Sequence, residues 1–449
     1  MSRTFLRKYR KRIYIYWIIK MKQQLLQVLY SFLAFCARVY LLRTKPLVIW
    51  VTWSVWKTSC RVVLSQVLHQ LQSNKKIYTS PKNYNSELGL VFSIFKIEEY
   101  TPSFKNLLKI SWTIFKKSLL EKKQYDILIA EYGIDTPGDM DFLLSIMKPD
   151  IGIITKLDSV HSDNFPDGTT QLWQDKFKLL LASKQKVYFN GQDSFPLQHK
   201  NLLSTPWETI FEKESQTQLS KTDGWLLQFF SYKKKDISMN LLWNENVEYT
   251  ILALKIANDI GLDIKATTYN FDFELQAGRF SLFERNENIF IDSSYNAGPE
   301  SMKKVIKNTK LVHSELYPNH KLVYVLWDMR EIGEERESAH SSIANLVSDA
   351  AAVILIGPDM YSYALPELKK NNFEGDIHSS LSSREAWKYL RKYLKDHSDE
   401  KYVVLFKGSQ NTIFTEEALA AQLTPTQQKN LPRQSEDWKS KKDEFFKNI

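Results

Sequence analysis

From Pro46 onward, short apolar runs rich in β-branched residues alternate with longer segments of helical period, and this alternation constrains the fold more than any other feature. Leu47–Val51, Ile77–Thr79, Asp126–Glu131, Ile151–Thr155 and Val187–Phe189 read as strands of a first series. Helices over Lys57–Leu71, Met140–Met147 and Gln171–Ser183 separate them, with Pro81–Gly89 as a polar loop. Runs that stay apolar throughout predict strands buried on both faces, the pattern of a parallel sheet covered by helices. The stretch Leu197–Lys235 is polar and poorly periodic, and the helix Val247–Ile260 is stopped by Gly261. A second series then begins. Phe280–Phe283 and Ile289–Ile291 read as a hairpin, and Pro299–Val312 as a helix with Pro at its start. Leu322–Leu326, Ala352–Ile356 and Tyr402–Phe406 read as strands, with helices near 337–348, 383–395 and 415–423. The tail from Thr424 is polar and charged.

Residues 1–45 differ from the rest. Arg3, Arg7, Lys8, Arg10, Lys11 and Arg12 form a basic start, followed by an apolar-rich stretch from Leu25 to Leu42. Gln27 and Arg38 interrupt that stretch, so a membrane span is not expected, and no small-residue cleavage site marks a secretory signal. Two readings stand: amphipathic helices packed on the body, or a basic anchor in peripheral contact with an anionic membrane surface. The net charge of +10 favours anionic partners. Nucleic acid is not expected, because the charge is spread and no recognition motif occurs. Two cysteines, Cys36 and Cys60, exclude a disulfide scaffold and a four-cysteine zinc site.

The segment Val48-Ile-Trp-Val-Thr-Trp-Ser-Val-Trp-Lys-Thr-Ser59 lies where a strand turns into a helix. With Gly at 53 and 56 it would read Gly-Ser-Val-Gly-Lys-Thr, the phosphate-cradling loop of the Mur ligases, which it resembles. Such a loop holds phosphates by backbone N–H groups and a helix N-terminus. Glycine lets the backbone approach and adopt positive φ, which Trp does not. The same replacement recurs. Leu242-Trp-Asn-Glu-Asn-Val247 resembles the family's Leu-Gly-x-His-Asn-x, and Val325-Leu-Trp-Asp-Met-Arg-Glu-Ile-Gly333 resembles its Gly-Asp-Met-x-Glu-Leu-Gly. Trp50 also stands at a common family glycine. The chain holds 14 Gly and 12 Trp, about 3% Gly against a usual ~7%. Our hypothesis is that Trp50, Trp53, Trp56, Trp243 and Trp327 are glycines read through the wrong genetic code, since UGA encodes glycine in some lineages and tryptophan in others. The other reading is genuine Trp in a non-catalytic homologue. UGG at codons 53 and 56 would refute the decoding hypothesis.

The resemblance covers about residues 46–449. It implies an α/β fold with a central P-loop ATPase-type parallel-sheet domain over 46–275 and a C-terminal Rossmann-like α/β domain over 276–449, behind a short helical segment. It implies that Trp53, Ser54, Val55, Trp56, Lys57, Thr58 and Ser59 bind the nucleotide's phosphates, with Lys57 on the β/γ-phosphates and Thr58 on Mg²⁺. Glu131-Tyr-Gly resembles the family's Glu-x-Gly, which makes Glu131 a metal ligand. Thr155-Lys-Leu-Asp-Ser-Val-His161 resembles Thr-Asn-x-x-x-x-His, which makes His161 another. Lys176 matches a lysine that becomes carbamylated and would supply a carboxylate for a second Mg²⁺. A solvated charged helix face is the alternative for this stretch. Asn246 matches the adenine contact, and Arg279 the arginine that approaches the nucleotide. Asp292-Ser-Ser-Tyr295-Asn-Ala-Gly-Pro-Glu-Ser-Met302 resembles Asp-Asp-Ser-Tyr-Asn-Ala-Asn-Pro-x-Ser-Met of the D-alanyl-D-alanine-adding branch, with Gly298 for the second Asn. Lys407-Gly-Ser-Gln-Asn-Thr412 matches that branch's Lys-Gly-Ser loop.

The implied activity is ATP-dependent amide ligation through an acyl phosphate, adding D-alanyl-D-alanine to a UDP-N-acetylmuramoyl-tripeptide. Lys57, Lys176 and His161 are the implied catalytic residues, with ATP and one or two Mg²⁺. The expected setting is a cytoplasmic monomer, at or near the inner membrane surface. Members of this branch carry a larger N-terminal domain for the uridine diphosphate part, expected here to be absent or cut down to helices. A ligase with a different carboxylate and amine is therefore the runner-up.

Overall fold

The computed structural model describes residues 25–52, 57–71, 74–80, 87–97, 103–157, 164–211, 216–222, 225–274, 277–329, 332, 335–408 and 414–447. These divide into two compact units. One comprises the chain to Gln216 with Tyr232–Lys235 and Asn244–Phe271; the other comprises Thr217–Ser231, Asp236–Trp243 and Asp272 onward.

The first unit opens with helix α1 (Leu25–Thr44). It continues through β1 (Leu47–Thr52), α2 (Lys57–Gln70), β2 (Ile77–Thr79), α3 (Glu87–Ile94), α4 (Phe104–Leu120), β3 (Ile127–Tyr132), α5 (Asp139–Ile146), β4 (Ile151–Ile154), α6 (Gly168–Ala182), β5 (Lys186–Asn190), α7 (Ser194–His199) and β6 (Trp207–Ile210). Its six strands form a wholly parallel sheet, ordered β2-β3-β1-β4-β5-β6. Strands β1, β4 and β5 are buried along nearly their whole length, which is why they read as unbroken apolar runs. Trp50 is fully buried in β1, paired with the small residues Ala130 and Gly152 on the strands at either side.

Helices α3 and α4 and the packing of α1 were not anticipated in detail. Helix α4 starts on the Ser103 hydroxyl, which accepts from Asn106 N at 3.1 Å. At its other end, Arg43 of α1 donates to the carbonyls of Ser118 and Glu121, satisfying orphan helix-end acceptors. Helix α1 buries Leu33, Ala34, Cys36, Ala37 and Tyr40 in a cluster with Leu90, Phe95, Leu107 and Ile114. By length and composition alone it is also apolar enough to cross a membrane.

The polar stretch after Leu197 is structured. It holds β6 and three further strands, β7 (Thr217–Thr222), β8 (Trp225–Tyr232) and β9 (Lys235–Met239), with β7 and β8 antiparallel. Helix α8 (Asn244–Asp259) returns to the first unit, packs along α2 and ends near Gly261, at φ +72°. It is followed by β10 (Thr268–Phe271).

The second unit contains β11 (Ser281–Arg285), β12 (Asn288–Ser293), α9 (Pro299–Leu316), β13 (Lys321–Trp327), α10 (Arg336–Ser341), α11 (Ile343–Leu346), β14 (Ala352–Ile356), α12 (Leu365–Lys370), β15 (Asp376–Ser380), α13 (Ser383–Asp396), β16 (Tyr402–Lys407), α14 (Glu416–Ala420), α15 (Pro425–Gln428) and α16 (Glu436–Lys447). The hairpin β11–β12 is antiparallel, as expected. The other neighbours are parallel, in the order β11-β12-β16-β13-β14-β15. This is an open, mostly parallel α/β sheet.

Candidate active site

In an open parallel sheet, ligands bind outside the strands' carboxyl ends, where successive crossovers leave in opposite directions. In the first unit that switch point lies at β1. Its neighbours are β3 on one side and β4 on the other, and the chain visits β2 and β3 before crossing to β4. The carboxyl end of β1 leads into residues 53–56, which lie outside the described residues, and then into α2. Lys57 and Thr58 begin that helix, and Ser59 is half-buried on it.

Glu131 stands beside this end, paired in register with Val51. Its side chain is 5% exposed. One carboxylate oxygen pairs with Arg61 Nε of α2 at 2.7 Å. The other, Oε1, is buried with no hydrogen-bond partner among the described residues. Arg61 also donates to Thr79 Oγ1 at 3.1 Å and to the Ser80 carbonyl. A buried carboxylate with one uncommitted oxygen fits an oxygen ligand for a hard divalent cation. Arg61 was not anticipated; its partner lies seventy positions away, and nothing in local spacing announces it. His161 lies outside the described residues.

Lys176 is 1% exposed, on the inner face of α6. The solvated-face reading therefore fails at this position. Its neighbours behave differently: Lys178 pairs at 2.7 Å with both Asp141 and Asp175, and is itself 36% exposed. Asn246, in the first turn of α8, is buried.

A second cluster forms at the carboxyl ends of β12 and β16. Ser293 and Lys407 are paired in register, and Lys407 Nζ donates to the Asn296 carbonyl at 2.5 Å. Burial, reinforced by the Arg279 guanidinium, pulls the Lys407 amine down to about 7. Asp292 is fully buried. Desolvation pushes its carboxyl up to about 6, against the stabilising Ser294 N–H at 3.0 Å. Its Oδ2 has no partner among the described residues. Arg279 lies over the Tyr295 ring, 4.3 Å from the centroid. The structure thus brings together Arg279, Asp292, Tyr295 and Lys407. Sequence reasoning missed Arg433, which pairs with buried Glu416 and donates to the Ser294 carbonyl at 3.0 Å.

Asp328, His340 and Asp359 lie close enough to hold a metal. The histidine is already committed: Nδ1 faces the Arg336 carbonyl at 2.6 Å, and Nε2 accepts from Met329 N at 2.9 Å. Asp359 pairs with Arg336, and Asp328 accepts from Met360 N at 2.8 Å. This group ties the end of β13 to the helical turns around it.

The Trp positions divide. Trp243 has φ +109°, a region in which L-residues are rare. Trp327 is buried at the end of β13, and its indole N–H has no acceptor among the described residues. Trp50 fits its core.

A parallel sheet with its switch point at β1, followed in the chain by a second open, mostly parallel sheet, defines a two-unit α/β protein. The Mur ligase middle domain matches residues 51–257, and the Mur ligase glutamate ligase domain matches residues 278–410. The chain belongs to the Mur ligase family. The UDP-N-acetylmuramoyl-tripeptide–D-alanyl-D-alanine ligase of Borreliella burgdorferi is 25% identical over 291 residues, covering 63% of this chain and 56% of its own. That of Bacillus subtilis is 20% identical over 383 residues, covering 83% and 75%. Among solved structures, MurF from Acinetobacter baumannii aligns with TM-score 0.67 and 18% identity over 87% of this chain and 79% of that one. MurF ligase from Thermotoga maritima in complex with ADP aligns with TM-score 0.65 and 21% identity over 90% and 85%.

Proposed function

We propose that this chain is an ATP-dependent amide ligase that joins D-alanyl-D-alanine to a UDP-N-acetylmuramoyl-tripeptide in the cytoplasm. The observation that carries the reading is the switch point itself. Glu131, buried and with one oxygen uncommitted, stands beside the strand that leads to Lys57 and Thr58. The relatives' shared name and the Asp292–Met302 segment support the choice of substrates.

The tripeptide's carboxylate attacks the γ-phosphorus of ATP and displaces ADP, giving an acyl phosphate. The amine of D-alanyl-D-alanine then attacks the acyl carbon, and phosphate leaves. Lys57 and the N-terminus of α2 hold the phosphates and offset charge in the transfer. Thr58, Glu131, His161 and Lys176, as a carbamate, would hold Mg²⁺. When bound, the metal neutralises charge on the transferring phosphoryl group. Asn246, Arg279, Asp292 and Tyr295 bind the nucleotide. Domains 46–275 and 276–449 divide these tasks.

The test is phosphate release from ATP, using protein with glycine at 50, 53, 56, 243 and 327 and a matrix of carboxylate and amine substrates. Release that requires both UDP-N-acetylmuramoyl-tripeptide and D-alanyl-D-alanine supports the proposal. Release with another pair alone moves the chain to the runner-up.

A further inference from the structure

We infer that the outer faces of α1 and α4 together form a docking surface for an anionic lipid bilayer. The inference does not depend on the catalytic reading.

Both helices belong to the first unit, and each is apolar on two sides. Helix α1 commits one side to the core through Leu33, Ala34, Cys36, Ala37 and Tyr40. Its other side leaves Leu25, Val28, Phe32 and Phe35 exposed. Helix α4 buries Leu107 and Ile114 but exposes Leu108, Trp112, Leu119 and Leu120, with Trp112 59% exposed. The two outer faces are continuous. Phe115 stacks on Phe32 at 5.9 Å and on Trp112 at 5.7 Å, making an aromatic bridge between the helices. Isolated exposed apolar residues need no explanation, but a contiguous patch on adjoining helices does.

Charge selects the occupant. Helix α4 carries Lys105, Lys109, Lys116 and Lys117 and no acidic residue. Lys116 Nζ lies 5.1 Å from the centre of the Trp112 ring. The first 86 residues hold sixteen Lys and Arg and no Asp or Glu, while the remaining 363 hold 45 against 51. The chain's whole positive excess therefore sits in the segment that contains α1 and precedes α4. Apolar side chains interspersed with lysines, and Trp at the boundary, suit a helix lying in the interface of an anionic bilayer. A second copy would set cations against cations. A transmembrane α1 would have to pull Leu33, Ala37 and Tyr40 out of the core.

The experiment is co-sedimentation of the full chain with vesicles of equal phosphatidylglycerol and phosphatidylcholine, and with vesicles of phosphatidylcholine alone. Two variants accompany it, Leu108→Ser/Trp112→Ser and Lys105→Glu/Lys109→Glu/Lys116→Glu, each checked for parental circular dichroism. The expected result is binding to anionic vesicles only, lost about tenfold or more in each variant and released by alkaline carbonate. Equal binding to neutral vesicles, no binding to anionic ones, or binding unchanged in both variants would overturn the inference. So would retention through carbonate, which would make α1 a span, or a parent dimer that both variants dissociate.

Discussion

Two lysines, one in each unit, are buried where an amine is costly to hold as a cation. Lys176 is 1% exposed on α6, and Lys407 is 4% exposed at the end of β16. If Lys176 acts as a carbamate, Lys176→Ala abolishes ligation and added short carboxylic acids restore part of it. Full activity without them, in the same phosphate-release assay, would leave Lys176 a buried structural residue. Lys407 has a folded value of about 7, below its ordinary 10.5. The stability it allows above 10.5 is lost as pH falls through about 7, because the unfolded chain then binds the proton more tightly. Asp292 works the other way: its raised value of about 6 gives stability at low pH that is lost on passing upward through 6. Lys407→Met removes the first dependence. Denaturant titrations from about pH 9 down to about pH 6 should show the variant gaining on the parent until about pH 7 and then levelling off, on top of a constant offset for the lost hydrogen bonds. Both lysines were legible in the sequence as motif members. Their burial was not, since a Lys in a charged stretch such as Asp175–Lys178 reads equally well as solvated.

Elements were legible where the burial pattern is simple. The strands Ile77–Thr79 and Ala352–Ile356 were read to the residue, because apolar runs bounded by polar turns leave little choice. Strand β8 was not. Its inward positions are Leu226, Gln228 and Phe230, and Gln228, 1% exposed, breaks the apolar alternation. Gln228 is there because its Oε1 accepts from Trp243 N at 2.6 Å, a partner that local sequence does not reveal. Strand β15 was missed for another reason: it is the sheet's edge, so Asp376–Ser380 can be polar. Helix α4 did carry its signal, a Ser N-cap followed by apolar residues at helical spacing. The joint between β10 and β11 rests on Gly278, at φ +75°, where an added Cβ would lie 3.0 Å from Tyr295 N. Gly278→Ala should therefore cost at least ~1–2 kcal/mol, seen as a lower denaturation midpoint at unchanged slope.

At the scale of the molecule, alternation alone pointed to the two α/β series, while the fold class of each domain and the chemistry had to be read from motifs interrupted by Trp, and the four-stranded sheet of β7 to β10 was missed. Indoles at 53 and 56 would fill the space of the phosphates, so the chain as written should not bind ATP. Trp53→Gly with Trp56→Gly should restore binding by calorimetry with Mg²⁺; equal affinity before and after would mean the loop is elsewhere. Among the described Trp positions, Trp243, at φ +109°, is the one whose backbone calls for glycine. The central claim is that a carboxylate is activated as an acyl phosphate before the amine attacks. It is tested most directly by running the glycine-restored protein on UDP-N-acetylmuramoyl-tripeptide labelled with ¹⁸O in its terminal carboxylate, with ATP and D-alanyl-D-alanine. The account predicts ADP and one ¹⁸O transferred into each phosphate released; unlabelled phosphate, or AMP and pyrophosphate, would contradict it.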